Sequence, residues 1–206
     1  MEYKWLKKTN SSKNKKIIIF FNGWGMDEGI IEHLEMSDFD IVMFYDYNFL
    51  ETDFDFNIIK NYQESYLVAW SMGVMTATFF NVNYTKKIAI NGTLKPIDDL
   101  YGIPNKIYKL TMKSFSEKGA ERFMKNMFKD FADIPIIKRE FENQKSELKA
   151  LAGYKANLDF KYDKIIISSE DKIIPTKNQE AFWGINANID SGHAPFILFK
   201  KWSEIL

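Results

Sequence analysis

The stretch Tyr66–Met75 constrains this chain more than any other. Tyr66-Leu67-Val68-Ala69-Trp70 runs apolar and aromatic straight into Ser71, Gly73 follows two positions later, and Val74 to Phe80 suits a helix. The pattern predicts a buried strand that turns sharply into a helix with Ser71 at the apex. This is the G-x-S-x-G arrangement, in which a strained turn lifts a hydroxyl clear of a sheet. Ala69 stands where the first glycine belongs. It still meets the need for small residues where strand and helix come close. A serine between a strand and a helix can equally be a plain N-cap, so the rest of the chain must decide.

The flanking sequence repeats the same unit. Residues 1 to 10 suit a short edge strand, and Asn10 to Lys16 a polar turn. Ile17 to Phe21 is a continuous β-branched and aromatic run, as expected of a strand buried on both faces. It ends at Asn22-Gly23-Trp24-Gly25, before a short helical stretch with Ile30, Ile31 and Leu34. Ile41 to Tyr45 is a second such run, ending at Asp46. An aromatic-rich loop and a short helix lead into the opening stretch. Lys87 to Ile90 follows, closed by Asn91-Gly92. This β-α-β-α rhythm predicts an α/β fold with a mainly parallel sheet covered by helices on both faces.

From about 94 to 158 the rhythm breaks, and the segment reads as a small helical insertion, a lid, within a single domain over residues 1–206. Ser114-x-x-Glu117 suggests a capping box. Ala120, Phe123, Met124, Met127, Phe128 and Phe131 fall on one helical face, and Lys118, Arg122, Lys125 and Lys129 on a second, basic one. Residues 136 to 151 suggest another amphipathic helix. Strand character resumes at Ile165 to Ser168, ending in Ser169-Glu170-Asp171. A helix is expected after Pro175, a short strand near Asn188 to Asp190, and a C-terminal helix after Gly192-His193-Ala194-Pro195-Phe196.

Composition enters mainly by exclusion. The chain has no cysteine, which rules out disulfides, thiolate metal sites and a cysteine nucleophile. Lys+Arg and Asp+Glu both number 28, so no overall field favours nucleic acid. No apolar run is long enough for a signal-peptide core or a membrane span, so a cytoplasmic location with no membrane association is expected. No cluster has metal-ligand spacing, and neither a metal nor a cofactor is expected. A monomer is expected.

Histidine is decisive, because there are only two, His33 and His193. Catalytic groups of parallel sheets gather at the carboxyl ends of the strands. Ser71, Asp171 and His193 each follow a predicted strand, in the chain order Ser, Asp, His of α/β-hydrolases. Ser71 would be the nucleophile, His193 the base, and Asp171 the group that orients the imidazole. The oxyanion donors would be the backbone N–H groups of Met72 and Trp24. Competing readings are plain: Asp171 as a helix cap, Asp163 or Asp190 as the acid, His193 as a structural histidine, and Trp24 as core. His33, beside Glu32, suits a surface position. Gly23-x-Gly25-x-x-x-Gly29 with Asp46 approaches a dinucleotide fingerprint, but its spacing is one residue too long and Trp24 and Met26 are bulky. Ser146-x-x-Lys149 matches S-x-x-K inside a charged helix.

Asn22-Gly23-Trp24-Gly25, Ala69-Trp70-Ser71-Met72-Gly73 and Gly192-His193-Ala194-Pro195-Phe196 together resemble the pimeloyl-[acyl-carrier protein] methyl ester esterases of biotin synthesis. Asn91-Gly92-Thr93, Pro96-Ile97-Asp98 and Gly102-Ile103-Pro104 are similar to the shorter variant of that family. The resemblance implies an α/β-hydrolase fold and a serine carboxylesterase that removes the methyl group from a pimeloyl chain on acyl-carrier protein. It also implies that Lys118, Arg122, Lys125 and Lys129 meet the carrier protein, while Phe123 and Met127 line the acyl channel. The chain departs from the family in Ala69 for glycine, Asn22 where histidine is frequent, and Lys118 where arginine is frequent; a lysine offers only a point charge. The alternatives are an acyl thioesterase and a non-catalytic module that binds acyl-carrier protein.

Overall fold

The computed structural model describes residues 1–9, 15–129 and 134–206. Most of the polar turn expected over Asn10–Lys16, and Phe131 of the expected apolar face, lie outside them. The sheet has six strands: β1 (Glu2–Lys7), β2 (Lys16–Phe21), β3 (Phe39–Tyr45), β4 (Glu64–Trp70), β5 (Lys86–Ile90) and β6 (Lys164–Ile166), in the order β1-β3-β2-β4-β5-β6. β1 is an antiparallel edge, and every other pairing is parallel. Parallel strands need crossovers that cover both faces, which is why their sequences are apolar without alternation.

Two cores follow from the two faces. Ile17, Ile19 and Phe21 of β2 point one way with Val42, Phe44, Leu67 and Ala69, while Ile18 and Phe20 point the other with Met43, Val68 and Trp70. Each of the Val, Leu, Ile, Met and Phe side chains among them stabilises the fold by about 1.5–3 kcal/mol relative to an exposed one. The first face is covered by α1 (Gly73–Thr76), α2 (Asn105–Ser114), α4 (Phe141–Leu151) and α5 (Thr176–Trp183), through Val74, Tyr108, Leu148 and Phe182 among others. A stacked aromatic ladder, Phe21–Phe44–Phe56–Phe80, belongs to that layer. The second face is covered by short 3₁₀ turns that carry Ile30, Phe196 and Trp202, and by Met127 at the end of α3 (Glu117–Met127).

Several local expectations are corrected. The helix after Ser71 is short, passing into a 3₁₀ turn at Ala77–Phe79. The last strand near Asn188–Asp190 is an isolated Ser168–Ile189 bridge. In place of a C-terminal helix there are 3₁₀ turns at Pro195–Leu198 and Trp202–Glu204. Between them Glu35 N–H donates to the Lys200 carbonyl and Trp202 N–H to the Glu35 carbonyl, which holds that backbone extended. The N-cap of α3 is Ser116, whose side chain accepts from Gly119 N–H; Ser114 instead ends α2, its hydroxyl donating to the Leu110 carbonyl. The helix expected from 136 begins only at Phe141, because Lys138 N–H is tied to the Asp27 carboxylate at 2.6 Å.

Candidate active site

β4 delivers Ser71 to the carboxyl edge of the sheet between β2 and β5. Ser71 has φ +56°, a left-handed backbone that costs a non-glycine residue about 1–3 kcal/mol. Its N–H donates to the Ile90 carbonyl at 3.0 Å, which helps to hold the turn. Gly73 explains the second small residue of the motif. A Cβ there would lie 2.3 Å from the Phe21 carbonyl oxygen, so the first turn of α1 can sit against the end of β2 only without a side chain. Ala69 is fully buried in register with Phe21 and Ala89, and it fills the first small position without strain.

The three residues singled out by chain order meet. His193 Nε2 lies 2.8 Å from Ser71 Oγ, and His193 Nδ1 lies 2.7 Å from Asp171 Oδ2. A carboxylate only accepts, so Nδ1–H donates to Asp171 and Nε2 is left to accept the serine proton. Asp171 makes the contacts of both readings that the sequence allowed it. Oδ1 accepts from the N–H groups of Ile173 and Ile174, which is the local capping role, while Oδ2 faces the imidazole. Asp163 bonds Lys87 N–H, Asp190 bonds Lys129, and the His33 ring lies 3.0 Å from the Phe196 carbonyl. None of the three is part of this constellation.

Supporting residues absent from the sequence reading surround the three. Gln179 is fully buried and its amide donates to Asp171 Oδ2 at 2.8 Å and to the Ile174 carbonyl. The His193 carbonyl accepts from Trp70 Nε1 at 2.8 Å and from Asn91 Nδ2 at 2.9 Å. Asn91 also receives Ser168 N–H, so one buried amide joins the ends of β5 and β6 to the histidine loop. In sequence, Asn91-Gly92 carried a turn signal and part of the family resemblance, but no sign of these bonds. Long-range amide bonds leave no local pattern to read.

Trp24 and Met72 line a cavity of about 140 Å³ together with Ser71, His193, Tyr108 and Phe123. Met127 also faces it, and so do Ile107 and Thr111 of α2. Among the described residues, no protein acceptor takes the N–H of Trp24 or of Met72. Gly23 lets the Trp24 loop pass close to the Trp70 ring, which a Cβ would meet at 2.8 Å. The Trp24 indole packs on Phe115 and Phe123, and its Nε1 donates to the Gln144 carbonyl of α4. The dinucleotide alternative fails at this loop. Gly25 N–H, which a phosphate would need, is taken by the Glu147 carboxylate, and like charge would repel the ligand. Ser146 and Lys149 lie on α4 outside this cavity.

Of the basic positions, Lys118, Arg122 and Lys125 are exposed on α3. Lys129 is a correction. It lies beyond the end of that helix and pairs with Glu170 and Asp190, which hold its ammonium above its ordinary pKa, so it does not continue the basic stripe. Lys106, Lys109 and Lys113 of α2, not considered from sequence, are exposed as well. Among the described residues no group of three or more acidic or histidine side chains could hold a metal, and no helix is long and apolar enough to cross a membrane.

Residues 4–205 match a family model described as pimeloyl-ACP methyl esterase BioG. The crystal structure of BioG from Haemophilus influenzae superposes with TM-score 0.87 at 30% identity, covering 100% of this chain and 99% of that one. A malonyl-[acyl-carrier protein] O-methyltransferase from Bacteroides fragilis is 38% identical over 182 residues; the match covers 82% of this chain but only 36% of that protein's length. A lipase-esterase related protein from Clostridium acetobutylicum shares the fold at TM-score 0.66 and 11% identity, covering 96% of this chain and 93% of that one. The architecture is that of the α/β-hydrolases.

Proposed function

The chain belongs to the BioG family of pimeloyl-ACP methyl esterases, and from that premise we propose that it is a serine carboxylesterase for a methyl ester carried on acyl-carrier protein. The observation that carries the reading is the continuous line Asp171–His193–Ser71, with contacts of 2.7 and 2.8 Å, ending in an apolar cavity. Ser71 Oγ attacks the ester carbonyl while His193 Nε2 takes its proton. The carbonyl oxygen becomes an oxyanion held by the N–H groups of Trp24 and Met72. Collapse of this intermediate breaks the bond to methoxide, which leaves as methanol with the proton from His193. Water, deprotonated by the same imidazole, then attacks the acyl-enzyme. The product is pimeloyl-[acyl-carrier protein] with a free terminal carboxylate, a step of biotin synthesis. The relative from Bacteroides fragilis bears the name of a methyltransferase that acts on a carrier-bound acid, the chemistry that would create such an ester.

In this reading the chain is one α/β-hydrolase domain, and α2, α3 and α4 form a lid over the site. Phe123 and Met127 line the acyl channel, and Lys118, Arg122 and Lys125 face the acidic carrier protein. The test is product identification by mass spectrometry. The wild-type protein should demethylate the carrier-bound ester and leave the thioester intact, and Ser71→Ala should do neither that nor hydrolyse a short p-nitrophenyl ester. Release of the whole chain would mark a thioesterase. Carrier-protein binding without fluorophosphonate labelling of Ser71 would mark a non-catalytic module.

A further inference from the structure

Glu147 of α4 is fully buried, and the chemistry above does not use it. Its Oε2 accepts from Gly25 N–H at 3.1 Å and from Arg139 Nη1 at 2.7 Å, and its Oε1 accepts from Tyr47 N–H at 2.9 Å. Arg139, itself only 7% exposed at its side chain, also pairs with Asp46 and bonds the Asn143 amide oxygen. One carboxylate therefore ties a helix of the insertion to the loops that follow β2 and β3. Buried ion pairs of this kind are poor sources of stability and are better explained by the geometry that they impose.

The geometry bears on Trp24. Gly25, with φ +73°, follows it directly, so the Glu147 bond fixes the peptide on the C-terminal side of Trp24. The Trp24 indole is held by the Gln144 carbonyl, about one turn earlier on α4. Before it, Gly23 N–H donates to Asn22 Oδ1 at 2.8 Å, and the Gly23 carbonyl, in the same peptide as the Trp24 N–H, accepts from Met26 N–H at 3.4 Å. Both flanking peptides and the side chain are thus tied, and Trp24 lines the cavity beside Ser71.

We propose that Glu147 is a positioning residue for ester hydrolysis, acting through Gly25 to keep the Trp24 N–H aimed at the developing oxyanion. The proposal rests on the reading of Trp24 as an oxyanion donor given above. α4 is then the fixed part of the lid, because moving it would disassemble the donor.

Glu147→Gln tests this directly. The amide keeps one acceptor oxygen for three donors, Gly25 N–H, Tyr47 N–H and Arg139 Nη1, and turns an NH₂ toward the side that the oxygen leaves. The expected result is a loss in kcat on the order of 10- to 100-fold, with KM for a short methyl ester nearly unchanged. Affinity for an alkyl trifluoromethyl ketone, whose adduct with Ser71 carries the oxyanion, should fall in parallel, while affinity for the matching carboxylic acid should not. The double variant Glu147→Gln/Arg139→Met removes the cation that one oxygen can no longer neutralise and leaves Asp46 to its Asn48 and Asn143 bonds; it should not recover kcat. Wild-type turnover in Glu147→Gln, or recovery of kcat in the double variant, would overturn the proposal in favour of a structural ion pair. A wild-type protein that neither hydrolyses esters nor binds the ketone would instead overturn the esterase reading, and the role of Glu147 with it.

Discussion

At the scale of single residues, the orientation of Gln179 is forced. Its Nε2 faces two acceptors, Asp171 Oδ2 and the Ile174 carbonyl; turning the amide over would set oxygen against oxygen. Its Oε1 has no partner among the described residues, although the side chain is fully buried. A buried polar atom left unpaired costs about 1–3 kcal/mol, so the side chain is explained by what its other end does. That end steadies the carboxylate that orients His193. Gln179→Leu should stay folded and keep KM, and should lose roughly 10-fold in kcat, as expected of one charge-assisted bond worth about 1.5–3 kcal/mol and only partly expressed in the transition state. Steady-state kinetics with a p-nitrophenyl ester, beside a thermal melt, would check it; unchanged kcat would reduce Gln179 to packing. Ser71, Asp171 and His193 were legible because each lies next to a strand signature and because so few histidines compete. Gln179, Asn91 and Glu147 were not. Their partners lie in other segments, and nothing in the local sequence distinguishes a buried amide or acid from an exposed one.

At the scale of elements, the strands were the most readable part, since burial on both faces leaves runs such as Ile17–Phe21 with no polar interruption. Helix boundaries in the insertion were less readable, because tertiary bonds override local signals. Buried Phe115 ends α2 and forces the cap of α3 onto Ser116, and Asp27 keeps the backbone around Lys138 extended until Phe141. Asp46, at the end of β3, is the matching anchor for α4. Burial pushes its carboxyl up, but bonds from Asn143 and Asn48 and the nearby Arg139 charge outweigh this and hold it below its ordinary 3.8. A carboxyl with a lowered folded-state pKa contributes stability that is present above its unfolded value and lost as pH falls through the folded one. The loss therefore begins near 3.8 and continues below it. Asp46→Asn should lower the thermal midpoint at neutral pH and flatten its decline at the acid end. Parallel midpoint curves for the two proteins would show that Asp46 contributes nothing through its charge.

At the scale of the whole molecule, the balance of 28 basic and 28 acidic residues hides an uneven distribution. Residues 105–150 carry eleven Lys and Arg against seven Asp and Glu, and within them Lys106, Lys109, Lys113, Lys118, Arg122 and Lys125 are exposed on α2 and α3, two helices whose other residues line the cavity. A neutral protein with a local positive surface has no long-range attraction for anions in general. Over distances near the screening length of about 8–10 Å, it still steers an acidic partner that docks on that surface. A free small ester carries no such charge. For turnover of the carrier-protein ester, kcat/KM should therefore fall as salt is raised, while kcat/KM for a neutral p-nitrophenyl ester stays flat. Reversing Arg122 and Lys125 to glutamate should lower the first at low salt, weaken its salt dependence, and leave the second unchanged, because neither side chain lines the cavity. In the proposed reading both substrates react at Ser71, but only one carries the acidic carrier protein. A salt response common to both would therefore place the effect in the active site and remove α3 from docking.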